Sequence, residues 1–260
     1  MRIAEISVHG CPLRPLGKGD AGGMNLYVRQ LSLELGRLGV EVDVFTRWHD
    51  HKEPEVMAVG DKTRLIHIAA GDKKDVPKTD IYHCLPQFIS RLRCFLDKEG
   101  LAYDLLHSHY WLSAWAAEQL RAELRIPHVA TFHTLGLVKN RARPEEQEPE
   151  LRIETEKRVT AAADRIIAFT TEERVELISM YRALPDRVEV IPCGVDLELF
   201  HPVNKEKARS ELGLTGQSKI LLFAGRIQPF KRIDILLHAA ARLNRSDLHL
   251  LILGGDSDGE

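Results

Sequence analysis

Three histidines at the ends of two strand-like runs could bind a metal or a polar ligand. His107 and His109 alternate within the run DLLHSHYW, and His133 closes the next apolar run. Alternate residues of a strand share one face, so His107 and His109 point the same way. Three imidazoles suit zinc and a metal-dependent hydrolase. We favour a ligand crevice at the strand ends, because no Asp or Glu at ligand spacing accompanies the three. Histidines satisfied by backbone hydrogen bonds remain the other alternative, chiefly for His107.

A glycine-rich segment, GKGDAGGMN from Gly17 to Asn25, precedes an amphipathic helix. Glycines let the backbone approach a ligand, and the N–H groups of a helix N-terminus attract anions. The segment matches G-x-G-x-x-G formally. However, GCPLRPL separates it from the first strand, and the second strand ends in FTR without the acid that binds ribose. We interpret it as a ligand-binding loop, with a flexible turn as the alternative.

Two cations lie in a third motif, GRIQPFK, between a strand and a helix. Arg226 can donate two parallel hydrogen bonds to phosphate oxygens, and Lys231 adds a second positive charge. Together they suit a diphosphate. Lys231 would stand in the first helical turn, where a cation opposes the helix dipole. That placement favours a ligand contact over an ordinary solvated charge.

An alternation of strands and helices must position these motifs. Apolar periodicity predicts strands at 3–8, 40–44, 64–70, 104–108, 128–132, 165–169, 187–191, 219–224 and 248–253. It predicts helices at 24–38, 81–96, 113–124, 150–163, 171–182, 204–212 and 231–243. Segments 48–62 and 139–150 are predicted to be polar connectors. The pattern indicates an α/β fold with a parallel sheet covered by helices on both faces.

The series is interrupted at PCGVDLELFHPV, residues 192–203, where we place a domain boundary. We expect a complete Rossmann-like domain over 1–195 and the beginning of a second over 196–260. The two strands of the second unit are almost continuously apolar and should need neighbours on every side. The second domain is therefore expected to be truncated.

Composition limits the classes of partner. The 260 residues carry 36 Lys and Arg against 38 Asp and Glu, a formal charge of -2, so no global positive field favours nucleic acid. No apolar run approaches the roughly 18 residues of a membrane span. The four cysteines form no C-x-x-C pair, which favours reduced thiols and a cytoplasmic location. A homodimer is left open.

In order and spacing the motifs resemble those of retaining GT-B glycosyltransferases related to sucrose synthase and sucrose-phosphate synthase. The resemblance is carried by the segments GKGDAGGMNLYVRQLSLELGRLGVEVDVFTR, DLLHSHYWLSAW, TFHTLGLVKN, ELRIETEKRVTAAADRIIAFT, RVEVIPCGVDLELFHP and FAGRIQPFK. The DAGGMN version of the loop and the HSHYW motif resemble those found in the branch of the family that glycosylates D-inositol 3-phosphate in mycothiol synthesis. Sucrose-type enzymes usually have D-T-G-G-Q instead.

The resemblance implies a role for each matching residue. An acceptor site would comprise His9, Asp20, Ala21, Gly22, Gly23, Met24, Asn25, Lys78, Tyr110, Thr134 and Arg152. A donor site would comprise Gly23, Arg226 and Lys231. The catalytic groups would be His133, Arg226 and Lys231, with the two cations stabilising the UDP leaving group in place of a metal. No cofactor is implied besides the UDP-sugar co-substrate. Ile153 follows Arg152 where the inositol-phosphate enzymes tend to have a second arginine.

The implied reaction moves GlcNAc or glucose from a UDP-sugar to a phosphorylated polyol such as inositol 3-phosphate, with retention. A sucrose-phosphate-synthase-like transfer to a hexose phosphate is the alternative within the class. The alternatives from other classes are the metal-dependent hydrolase and a non-catalytic sugar-phosphate-binding fragment. The family's paired glutamates, which clamp the donor, have no counterpart within the 260 residues, so we expect these residues alone to be inactive.

Overall fold

The computed structural model describes residues 1–15, 22–214, 218–225, 227 and 231–254. The chain divides into two compact units, and the main break falls between Cys193 and Gly194. This break lies close to the boundary at 195 that the sequence suggests. Among the described residues, no helix is both long enough and apolar enough to cross a membrane.

The first unit is built on one sheet of eight strands in the order β3-β4-β2-β1-β5-β6-β7-β8. The strands are β1 (Arg2–Ile6), β2 (Glu41–Arg47), β3 (Val56–Gly60), β4 (Thr63–Ile68), β5 (Leu105–His109), β6 (His128–Thr131), β7 (Arg165–Ala168) and β8 (Val188–Val190). The helices are α1 (Gly23–Arg37), α2 (Lys78–Glu99), α3 (Tyr110–Leu124), α4 (Gly136–Ala142), α5 (Glu150–Ala162) and α6 (Thr171–Tyr181). Every described pairing is parallel except that of β3 with β4.

Helices cover both faces of this sheet, as the sequence predicts. Val42 and Val44 of β2 pack with Val28 of α1 on one face. Phe45, the next residue in the strand, packs on the other face in the cluster that contains Phe88 of α2. Alternate residues of one strand are thus buried by different helices, as expected of a sheet that is covered on both faces.

Two segments predicted as polar connectors contain regular structure, so those predictions are wrong in part. Strand β3 lies within 48–62 and pairs antiparallel at the sheet edge. The run VMAV is apolar, but it is short, and its residues alternate between exposed and half-buried at the sheet edge. Segment 139–150 includes the end of α4, which is only seven residues long and too short for a clear helical period.

The order of the strands fixes where a ligand can bind. Strand β1 lies between β2 and β5, and the chain winds outward from it in both directions. Folds of this type bind ligands at the carboxyl ends of the strands, at this point of reversal. The residues that follow β1, β5 and β6 therefore belong to one neighbourhood.

The second unit contains α7 (Lys205–Glu211), β9 (Lys219–Ala224), α8 (Ile233–Leu243) and β10 (Leu248–Leu253). Strands β9 and β10 are parallel and paired over their whole length. This strand–helix–strand arrangement agrees with the sequence. Lys231, however, lies before α8 and not in its first turn, because the helix begins at Ile233 after Arg232 as its N-cap.

Gly36 allows a close approach between α1 and the turn that joins β3 to β4. A Cβ atom there would overlap the carbonyl oxygen of Asp61 and Oγ1 of Thr63. We predict that Gly36→Ala lowers the free energy of unfolding by about 1–2 kcal/mol in chemical denaturation, although alanine favours helix by about 1 kcal/mol. Gln30→Ala, on the exposed side of α1, is the control and should change it by less than about 0.5 kcal/mol. A stabilising Gly36→Ala would contradict this account of the packing.

Candidate functional site

The candidate site is formed by the segments that follow β1, β5 and β6. They place His9, Tyr110 and His133 near one another, and the His9 and Tyr110 rings lie 4.5 Å apart between centroids. Tyr110 and His133 have positive φ angles of 74° and 62°. A left-handed backbone is unfavourable for non-glycine residues and tends to be retained at functional positions. Both strained residues are ones that the sequence implicated.

Four predicted acceptor residues converge here; we refer to Lys78, Tyr110, Thr134 and Arg152 as the Arg152 cluster. Nη1 of Arg152 donates to the Tyr110 hydroxyl at 3.2 Å. Nη2 of Arg152 donates to the carbonyl oxygen and to Oγ1 of Thr134, at 2.8 and 3.0 Å. Nζ of Lys78, the first residue of α2, lies 5.8 Å from the centre of the Tyr110 ring. Residues from four separate segments thus meet around two positive charges.

Arg152 is not a solvated cation. Its side chain is 1% exposed, and besides Tyr110 and Thr134 it contacts two carboxylates. Nε donates to Oε1 of Glu156 at 2.7 Å and Nη1 to Oε2 of Glu148 at 2.8 Å. Burial acts to lower the pKa of Arg152, but the charges of these carboxylates outweigh it and raise the pKa above its usual value. The guanidinium is fixed in place before any ligand arrives.

Glu156 connects this guanidinium to two other parts of the first unit. Its side chain is fully buried. Oε2 accepts a hydrogen bond from the Gly136 backbone N–H at 2.9 Å and another from the Tyr181 hydroxyl at 2.5 Å. The Tyr181 oxygen in turn accepts from the Leu137 N–H at 2.8 Å. One carboxylate therefore ties α5 to the start of α4 and the end of α6.

The sequence reading missed both carboxylates and Tyr181. A signal for the carboxylates was present, since Glu148, Arg152 and Glu156 follow one another at intervals of four. On a helix this spacing places opposite charges next to each other. Nothing comparable marks Tyr181, which reaches Glu156 only because α6 packs beside α5.

The histidines pair with neighbours and do not converge on one point. Nε2 of His107 bonds to Oγ1 of Thr131 at 2.9 Å, and Nδ1 of His109 bonds to Nε2 of His133 at 3.1 Å. The fold also brings in Glu5 of β1, whose carboxylate oxygens lie 4.0 Å from His107 and 3.9 Å from His109. The expectation that no carboxylate accompanies the histidines is therefore wrong. Glu5, His107 and His109 are all buried, so the arrangement lacks the open position of a hydrolytic zinc site.

Burial keeps this group of histidines neutral. It lowers the pKa of His133 to about 3, and, with neighbouring histidines contributing, it lowers the pKa of His107 to about 3. Burial raises the pKa of Glu5 to about 8, so this carboxyl is protonated near neutral pH. A protonated Glu5 can donate to Oγ of Ser32 at 2.5 Å while that hydroxyl donates to the Val28 carbonyl at 2.7 Å.

The glycine loop is described only from Gly22 onward, and Asp20 and Ala21 lie outside the described residues. Asn25 Oδ1 accepts from the Gly22 N–H at 3.1 Å, and Asn25 Nδ2 donates to the Cys11 carbonyl at 2.8 Å. Met24 packs against the apolar cluster beneath α1. Both side chains contact the protein here, and the contact with the acceptor that the resemblance implies for them stays a prediction. A side chain at Gly23 would meet open space.

The donor residues of the second unit can be described only in part. Arg226 lies outside the described residues. Lys231 is exposed and stands just before α8. Its predicted role therefore stays a prediction.

Family models match both parts of the chain. Residues 21–199 match Glycosyltransferase Family 4, and residues 204–260 match Glycosyl transferases group 1. The chain is 41% identical over 266 residues to D-inositol 3-phosphate glycosyltransferase of Corynebacterium efficiens, covering 99% of this chain and 63% of that protein. It is 42% identical over 266 residues to the protein of the same name from Kineococcus radiotolerans, covering 98% of this chain and 61% of the relative.

Solved structures agree with the fold. Sucrose-phosphate synthase from Thermosynechococcus elongatus superposes with a TM-score of 0.88 at 36% identity, covering 98% of this chain and 62% of that one. Anabaena HepE in complex with UDP and glucose gives a TM-score of 0.66 at 15% identity, covering 97% of this chain and 60% of that one. The fold is thus of the GT-B type, and the chain spans about three fifths of the length of these relatives.

The buried ion pair gives a stability prediction. Glu156→Gln preserves shape but leaves Arg152 with Glu148 as its charge partner, so we expect a loss of about 3 kcal/mol in free energy of unfolding. The control is Glu154→Gln on the same helix, which breaks an exposed pair with Lys157 and should cost less than about 1 kcal/mol. Equal losses in urea titrations of the two variants would contradict the assigned role of Glu156.

Glu5 gives a prediction about pH. Its pKa rises from 4.5 to about 8 on folding, so between these values the folded chain holds a proton that the unfolded chain lacks. This contribution to stability is complete below pH 4.5 and falls by about 1.4 kcal/mol per pH unit as pH rises toward 8. Glu5→Gln should therefore gain stability relative to the parent between pH 5 and 7.5. A difference between Glu5→Gln and the parent that stays constant over this pH range would refute the assignment.

Proposed function

The chain belongs to the glycosyltransferases of family 4 and group 1, and on that premise we propose that the protein transfers a sugar from a UDP-sugar to a phosphorylated polyol. The relatives named D-inositol 3-phosphate glycosyltransferase make inositol 3-phosphate the first acceptor to test. Transfer with retention and a glucose or GlcNAc donor complete the proposal, on the strength of the family resemblance.

The observation that carries the proposal is the convergence of the Arg152 cluster at the carboxyl ends of β5 and β6. It offers a guanidinium, an ammonium and two hydroxyl groups within one small region. Arginine and lysine are the side chains that recognise phosphate, the first through directed N–H bonds and the second as a point charge. A phosphate dianion can interact with both positive charges, whereas a plain polyol offers them no negative charge.

Binding requires an exchange of partners on Arg152, since each of its nitrogens already donates to a protein oxygen. We propose that a phosphate oxygen replaces Glu148 on Nη1, while Glu156 continues to hold Nε. Glu148 has a second cationic partner in Lys139, with which it forms a direct ion pair. It can therefore leave Arg152 without remaining unpaired.

On the donor side, we propose that His133 contacts the transferred sugar as a neutral imidazole. Its low pKa means that it supplies hydrogen bonds and not a positive charge. Gly23 would admit the donor phosphates, because its missing side chain leaves open space at the start of α1. Arg226 and Lys231 would stabilise the departing diphosphate, so that the reaction needs no metal.

A hexose phosphate is the second candidate acceptor. The similarity to sucrose-phosphate synthase, at 36% identity over nearly the whole chain, favours it specifically. The Arg152 cluster suits either compound, because both present a phosphate. Contacts to the sugar or cyclitol ring would then determine which of the two phosphorylated acceptors binds more tightly.

We predict that the full-length protein binds inositol 3-phosphate much more tightly than inositol in isothermal titration. Lys78→Ala should weaken phosphate binding by about ten- to a hundredfold, since a hydrogen bond to a charged group contributes about 1.5–3 kcal/mol. Binding of the unphosphorylated polyol should change little. Fructose 6-phosphate and fructose are titrated in parallel to test the second candidate.

The matched control is Lys74→Ala, which removes a nearby cation that pairs with Asp72 on the surface. It should bind both ligands as the parent does. Equal affinity for phosphorylated and plain polyols would refute the acceptor assignment. Tighter binding of fructose 6-phosphate would replace inositol phosphate with hexose phosphate and leave the role of the Arg152 cluster intact.

A further inference from the structure

A second group of polar side chains lies at the carboxyl ends of β1, β2 and β4, toward the β2 and β4 side of the sheet. Cys11 follows β1, His49 and Glu53 belong to the connection between β2 and β3, and His67 is in β4. One ligand atom from each lies within 4.8 Å of the others. We refer to these four residues as the Cys11 cluster, and none of them has a role in the proposed transfer reaction.

Two buried acceptors face each other in this cluster. Nδ1 of His67 lies 2.7 Å from the Pro54 carbonyl oxygen, which can only accept, so this nitrogen carries the proton. With that proton on Nδ1, Nε2 presents its lone pair, and it lies 3.0 Å from Oε2 of Glu53. Both atoms are buried and make no hydrogen bond. Leaving two acceptors buried and facing each other is costly unless a cation lies between them.

We propose that the Cys11 cluster binds a zinc ion through Sγ of Cys11, a ring nitrogen of His49, a carboxylate oxygen of Glu53 and Nε2 of His67. Thiolate, imidazole and carboxylate are the ligands that zinc takes in proteins, whereas calcium and magnesium require mostly oxygen. The hydrogen bond from Nδ1 of His67 to a backbone carbonyl is the usual way in which a metal-binding histidine is oriented.

The charges also balance. Binding displaces the Cys11 proton to solvent, so one thiolate and one carboxylate offset the two positive charges of zinc while both imidazoles stay neutral. Cys11 is 3% exposed and His67 is fully buried, and a neutral assembly is what such an environment tolerates. In a tetrahedral site with bonds of about 2.0–2.3 Å the ligand atoms lie about 3.3–3.8 Å apart, so the four side chains need to close in only slightly.

Four protein ligands would fill the tetrahedral positions, which makes the site structural and not catalytic. It would fasten three segments together: the stretch after β1, the β2–β3 connection and β4. The Cys11 carbonyl accepts the side-chain amide of Asn25, which in turn holds Gly22 at the start of α1. Zinc would therefore anchor the base of the glycine loop without contacting substrate.

The test measures zinc and cobalt binding by the full-length protein after removal of metal with a chelator. Zinc titration against a chromophoric chelator should show one tightly bound ion per chain, and zinc should raise the melting temperature by several degrees. Cobalt should give a thiolate-to-metal charge-transfer band in the near ultraviolet. Cys11→Ser should abolish that band, and both Cys11→Ser and His67→Gln should weaken zinc binding at least a hundredfold.

The control is the double variant Cys94→Ser/His83→Gln, which removes an exposed thiol and an exposed imidazole from α2. It should bind zinc as the parent does, and so should His107→Gln, which alters the other group of candidate ligands. Near-ultraviolet circular dichroism of the metal-free proteins establishes that each variant is folded. Absence of tight zinc binding, or binding that survives Cys11→Ser and His67→Gln, would overturn the proposal whatever the outcome for acceptor phosphate.

Discussion

The candidate site depends on a single buried cation, the guanidinium of Arg152, and on the carboxylate of Glu156 that compensates it. A buried charge is stable only when it is paired and fully hydrogen-bonded, so the surrounding backbone must supply its partners in fixed positions. Tyr110 and Thr134 provide two of them, from the ends of different strands. The requirement to satisfy Arg152 therefore also fixes the groups that would contact a ligand. The pairing of this buried charge therefore fixes the site's geometry before a ligand binds.

The buried carboxylate extends this constraint beyond the site. Through Gly136 and Tyr181 it reaches the start of α4 and the end of α6. Helix α4 carries Lys139, which pairs with Glu148. If Arg152 exchanged Glu148 for another partner, the ion pair between Glu148 and Lys139 would change too, and with it the contacts of α4. In this network Glu156 holds Arg152 in a fixed position, whereas Glu148 has a second partner and can move.

Much of the fold could be predicted from the sequence because apolar runs with strand and helix periods alternate along the chain. The convergence of Lys78, Tyr110, Thr134 and Arg152 is consistent with the rule for carboxyl ends of parallel strands. What failed depended on tertiary contact. Glu5 looks like an isolated acid in an apolar strand, and only the pairing of β1 with β5 brings it to the histidines. The hydrogen bond from the Asn25 amide to the Cys11 carbonyl likewise appears only in the folded chain. Strand β3 was missed because edge strands are half-exposed.

The left-handed backbone of Tyr110 and His133 has a consequence for protein engineering. Each costs on the order of 1 kcal/mol relative to glycine, which adopts such a conformation freely. Glycine at either position would relieve this strain but would remove a side chain that the surrounding network uses. Such variants would lack the ring that faces His9 or the imidazole that pairs with His109. These two positions should accordingly be held constant in any redesign of the scaffold, and improvements in stability should be sought on its exposed helical faces.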